Sequence, residues 1–201
     1  MSDFELMFQL FALLLGLAMA ELLSGLARCW RIKSGATKAG HAEVRLGRLT
    51  PLFGLLVLFD VTRFWVTMYA MREHLTFDYA SLIGMLVIVG GYFIISTFVF
   101  PDEPGEWPDF DDYFVHANRT VIGGMILVNF AIVLYAATLF AQGAPFEEAP
   151  IARNWVSLGA ALLYLPGLVV LWFVESKQGS LALLILLNLL LLIAAFGPRL
   201  F

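Results

Sequence analysis

Six long apolar runs fill most of this 201-residue chain, and only short polar segments separate them. They lie near Phe4–Ala27, Pro51–Met71, Ser81–Phe100, Thr120–Ala141, Trp155–Val174 and Leu181–Phe196. A helix needs about 20 apolar residues to cross the hydrocarbon core of a bilayer, so each run is read as a membrane span. Charged residues make up 14% of the chain, against about 25% in a soluble domain, so lipid is the natural solvent. The runs are continuous. A membrane barrel would instead alternate apolar and polar positions over about ten residues. The expected fold is therefore all-α: one polytopic membrane bundle of six transmembrane helices, with no room for a separate soluble domain.

Orientation follows from the bases. The first connection holds Arg28, Arg31, Lys33, Lys38, Arg45 and Arg48, which places it on the cytoplasmic side of a bacterial inner membrane. Six spans then put both termini outside. Lys177 and Arg119 fall inside, and Arg72, Arg153 and Arg199 fall outside. The first run is read as a retained helix, although Ala18-Met19-Ala20 resembles a cleavage site, because Met1–Glu5 carries no base. Anionic lipid headgroups are the expected partners of segment 28–48, with Trp30 at the interface. Topology accounts fully for these bases, so no nucleic-acid partner is expected.

Against this background Asp60 and Arg63 stand out. They lie near the middle of the second run, where each charge costs roughly 3 kcal/mol on insertion scales. Three residues apart, they share a helix face, and Thr67 continues that face by one turn. Thr50-Pro51 reads as the helix start, a capping hydroxyl followed by proline in the first turn. Glu21, Asn129 and Asn188 are the other polar residues inside runs that could join a polar pathway with this face. Pro166-Gly167 interrupts the fifth run and is a candidate hinge or gate.

Other features shape the surfaces. Ala12, Gly16, Ala20 and Ser24 form a ladder of small residues that suits close approach of a second helix, from another copy or another membrane protein. The segment 101–116 holds Asp102, Glu103, Glu106, Asp109, Asp111 and Asp112 without a base. Electrostatic docking on the basic loop is the simplest expectation for it. A cation site built from Asp109, Asp111, Asp112 and His116 is the alternative. The parallel between spans two and five, and between three and six, where Ser180 would cap the last span as Ser81 opens the third, suggests a 3+3 inverted repeat.

Catalytic motifs are absent from the sequence: no Gly-x-Ser-x-Gly, His-Glu-x-x-His, Walker sequence or Gly-x-Gly-x-x-Gly occurs. His41, His74 and His116 lie in or beside loops, where they do not suit a membrane haem, and no cofactor is expected. Cys29, the single cysteine, permits no intrachain disulfide and reads as a filler at the membrane edge. Two function classes stay open. The favoured one is a small channel or secondary transporter for an ion or small polar solute, with Asp60, Arg63, Thr67, Glu21, Asn129 and Asn188 along the pathway. The other is a non-transporting scaffold, accessory subunit or sensor whose charged pair fastens the helices. The first requires the pair to line a hydrated cavity, and the second requires a dry, packed contact.

Overall fold

The computed structural model describes residues 3–35, 44–72, 78–141, 143 and 155–200. They form six α-helices: α1 (Asp3–Lys33), α2 (Leu49–Ala70), α3 (Tyr79–Thr97), α4 (Phe110–Ala141), α5 (Trp155–Phe173) and α6 (Lys177–Leu200). All six are long and apolar enough to cross a membrane. Lys38, His41, His74, Arg153 and Asn154 lie outside the described residues.

Three helices outrun their apolar stretches, α6 by extending from the expected Leu181–Phe196 to Lys177–Leu200. α1 continues through the basic residues to Lys33, and α4 begins at Phe110, well before the expected Thr120. The added turns of α4 bury Phe114, Ala117 and Asn118 while Asp112, Val115 and His116 stay exposed. Such an amphipathic start has too many polar residues to stand out as an apolar run.

The helix starts also differ from their sequence signatures. Thr50 does not cap α2. Its Oγ1 donates to the carbonyl of Phe110 at 2.6 Å, and the cap comes from α4, where Asp111 Oδ1 accepts from Leu49 N at 2.9 Å. Ser180 is buried inside α6, and Ser176 Oγ accepts from Gly179 N at 3.1 Å in its place. For α3 the cap is Asp78, whose Oδ1 accepts from Ser81 N at 2.8 Å. Each side chain sits where an orphan N–H of the first turn needs an acceptor.

α2 is the central helix. Half of its most apolar window is buried (50%), whereas no other helix exceeds 33%. It packs on α1, α4 and α6, while α1 also packs on α3, α3 on α4, α4 on α5 and α5 on α6. The stripe of α1 that enters this core is Phe11, Leu15, Ala18, Leu22, Gly25 and Cys29, spaced alternately by four and three as helix packing requires. Gly25 permits the closest approach. A Cβ there would lie 2.1 Å from Phe100 Cδ2, and one on Gly54 of α2 would lie 2.4 Å from Phe100 Cζ. The Phe100 ring therefore seats itself between the α1 and α2 backbones.

One end of the bundle gathers the segments that the sequence assigns to a single side. Arg45 and Asp109 face each other in a parallel bridge, with Arg45 N donating to Pro108 O at 2.7 Å and Phe110 N to Arg45 O at 3.1 Å. Arg28 Nη1 donates to the carbonyls of Pro101 and Asp102 at 2.8 and 3.1 Å. Lys177 pairs with Asp112 at 2.5 Å and Arg119 with Glu175 at 3.2 Å, all four exposed. The acidic segment thus does lie against the basic one. The contact runs through backbone and capping bonds and the Arg28 guanidinium on backbone carbonyls, and among the described residues no ion pair joins the two segments.

Candidate functional site

Because α2 runs through the middle of the bundle, its charged pair faces protein. Asp60 is fully buried, at 0% exposure. Its Oδ2 accepts from Tyr92 Oη of α3 at 3.0 Å and from Asn129 Nδ2 of α4 at 2.8 Å. Arg63 Nη2 approaches Asp60 Oδ1 to 2.8 Å as an ion pair, and the same nitrogen donates to Asn129 Oδ1. The guanidinium also lies over the Tyr164 ring of α5, with its carbon 4.8 Å from the centroid. Five side chains from four helices therefore meet at one point.

Asn129 is the connector of this group. It donates to the carboxylate, accepts from the guanidinium and sends a second donation to its own Met125 carbonyl at 2.9 Å. All three of these amide bonds stay inside the protein. Hydrogen bonds to charged groups contribute about 1.5–3 kcal/mol each. Two donors on Asp60, the ion pair and a cation–π contact thus match the scale of the roughly 3 kcal/mol insertion cost per charge. Phe64 closes one side, its ring 5.5 Å from that of Tyr92.

Four buried polar atoms lack a hydrogen-bond partner among the described residues: Asp60 Oδ1, Arg63 Nε, Tyr164 Oη and Asn188 Oδ1. Three of the four belong to this cluster. The ion pair does not satisfy Asp60 Oδ1, because its angle falls outside hydrogen-bonding geometry. Arg63 is the cluster's most exposed member, at 25% of its side chain.

The remaining candidate residues lie elsewhere. Thr67 bonds back to the Arg63 carbonyl at 2.9 Å on its own helix. Asn188 of α6 reaches a different level of α2, donating to the Leu52 carbonyl at 3.2 Å and to Leu184 O at 2.8 Å. Glu21 sits half-buried at the edge of the α1 core stripe. α5 runs unbroken through Pro166, which is exposed, and Gly167 lies against α6, where a Cβ would come 2.6 Å from Leu187 Cδ2. Gly16, Ala20 and Ser24 face outward and Ala12 is half-buried, so the small-residue ladder is not used inside the bundle.

The four candidate metal ligands are each engaged differently. Asp109 Oδ1 accepts from Asp111 N, Asp111 caps α2, Asp112 pairs with Lys177, and His116 packs on Trp107 with centroids 5.4 Å apart. Among the described residues no group of three or more His, Cys, Asp or Glu side chains is placed to hold a metal ion.

Tyr92 and Tyr164 are the members that sequence reasoning passed over. Each is a hydroxyl-bearing aromatic near the middle of an apolar run, where phenylalanine would serve packing equally well. That hydroxyl was the available signal. Comparison of the chain with known protein families, with curated proteins and with solved structures finds no match.

Proposed function

We propose that this protein is a non-transporting integral membrane scaffold or accessory subunit of the bacterial inner membrane, whose Asp60–Arg63 pair fastens four helices into one unit. The carrying observation is that Asp60 has no exposed surface and takes its donors from two other helices. A carboxylate on a conduction pathway needs room for its solute, whereas this one is enclosed by Tyr92, Asn129 and Arg63. The topology that goes with the proposal is both termini outside. Its partner surfaces are the outward ladder of Ala12, Gly16, Ala20 and Ser24 for a membrane helix, and exposed Arg31, Lys33, Arg45 and Arg48 for anionic headgroups.

A transporter caught with its site closed is the second reading. The partly exposed Arg63 and the unpaired atoms beside it favour that alternative. An inverted 3+3 repeat would pack α4 on α6 as α1 packs on α3. That pairing is not among the principal interfaces, so the repeat has no part in the proposal.

Cysteine accessibility in liposomes separates the two readings. In a Cys29→Ser background, Asn129→Cys and Thr67→Cys probe the cluster and the turn beside it. The scaffold proposal expects neither to react with a water-borne thiol reagent applied from either side. Rapid labelling of Asn129→Cys from one side would replace it with the transport reading.

A further inference from the structure

We infer that the polar cluster between α2, α3, α4 and α5 holds one ordered water molecule, bound by Asp60 Oδ1, Arg63 Nε and Tyr164 Oη. The inference deepens the scaffold proposal and rests on its closed cluster. These three atoms are buried without hydrogen-bond partners, and they belong to residues already in mutual contact. An orphaned polar atom in a protein interior is destabilising, and buried water is the usual remedy. Three orphans in one cluster are far more costly than an isolated one, and they share a single solution.

Their chemistry selects the occupant. A carboxylate oxygen only accepts, the arginine Nε–H only donates, and the tyrosine hydroxyl does either. The guest must therefore accept from Arg63 and donate to Asp60. A cation would meet the Arg63 N–H, and an anion would meet the Asp60 carboxylate. Because these two residues cancel in charge, a neutral molecule with both donor and acceptor fits, and water is the smallest such molecule.

The three atoms sit on side chains that are in contact with one another through Arg63. Arg63 Nη2 is 2.8 Å from Asp60 Oδ1, and Nε belongs to the same planar guanidinium. The guanidinium carbon is 4.8 Å from the Tyr164 ring centre, so the Tyr164 side chain lies against the same guanidinium. Internal waters typically make about three hydrogen bonds, the number available here. The water joins α5 to the α2–α3–α4 network by hydrogen bonding, beside the cation–π contact of Arg63 with Tyr164.

The test that decides this uses the wild-type chain. A lipid-grown crystal structure fine enough to show ordered water is expected to contain one isolated peak within hydrogen-bonding distance of Tyr164 Oη and of Arg63 Nε or Asp60 Oδ1. An empty site in that map overturns the inference and leaves the scaffold proposal intact. A file of waters running from the cluster to a membrane surface supports the bound water but overturns the closed scaffold. Independently, Tyr164→Phe is expected to lower the melting midpoint by about 2–4 °C, since the water loses a partner. A midpoint equal to or above wild type would mark the hydroxyl as an idle orphan and overturn the inference.

Discussion

Asn129 Nδ2 donates to Asp60 Oδ2 at 2.8 Å, tying α4 to the central helix at the same carboxylate oxygen that Tyr92 reaches from α3. Asn129 Oδ1 in turn accepts from Arg63, so one amide serves both charges. The pair is consequently not a local i,i+3 contact. Asp60 is enclosed by three neighbouring helices, while Arg63 keeps a quarter of its side chain exposed.

Interdependence of the two charges follows. Asp60→Asn leaves Arg63 without its counter-charge, and Arg63→Gln leaves a buried carboxylate. Breaking a buried pair costs about 3–5 kcal/mol in soluble proteins, while replacing both members with apolar residues is often neutral. Each single variant should therefore lose stability of that order in detergent unfolding, and Asp60→Asn with Arg63→Gln should lose less than the two singles combined. Strict additivity across this cycle would show that the charges serve separate partners.

Removing the neutral members should be costly in proportion to the bonds lost. Tyr92→Phe deletes one donor to a buried carboxylate, for about 1.5–3 kcal/mol. Asn129→Leu deletes the bonds to both charges and should exceed Tyr92→Phe in the same unfolding assay. If Tyr92→Phe proved as stable as wild type, the Tyr92–Asp60 bond would have no energetic role.

Two glycines on α1 should respond in opposite ways. Gly25→Ala drives a Cβ to 2.1 Å from the buried Phe100 ring, and overpacking of this kind costs about 1–3 kcal/mol. Gly16 faces open space, with nothing within 4 Å of an added Cβ, so Gly16→Ala should be neutral or stabilising by up to about 1 kcal/mol. Gly16→Leu should leave the melting midpoint unchanged while weakening any association through the ladder, as read by cross-linking in membranes. Unchanged association would remove the ladder from the list of partner surfaces.

The capping link between α4 and α2 should be detectable locally. Asp111→Ala removes the acceptor for Leu49 N and should cost about 1 kcal/mol. Hydrogen exchange at Leu49 and its neighbours in the first turn of α2 should quicken more than exchange near Asp60. Uniform quickening along α2 would point instead to loss of the whole interface between segments 44–50 and 108–111.

The six helices, the mid-helix charge pair and the grouping of the connecting segments at one end were legible in the sequence, but the burial of that pair was not. Continuous apolar length, the high cost of charge in lipid and the distribution of bases are all local properties. Asn129 was also visible as a polar residue in an apolar run, although its link to Asp60 was not. The tertiary structure alone decided which partners meet. Tyr92 and Tyr164 join the cluster because α3 and α5 present those turns to it, whereas Asn188 meets α2 two turns away at Leu52. The ladder of Ala12, Gly16, Ala20 and Ser24 points outward because α1 buries the stripe from Phe11 to Cys29 instead, and both stripes suit helix packing. Helical periodicity fixes which residues share a face. The rotation and depth of each helix depend on neighbours far away in the chain, such as Phe100 between Gly25 and Gly54, and those contacts exist only once the bundle has assembled.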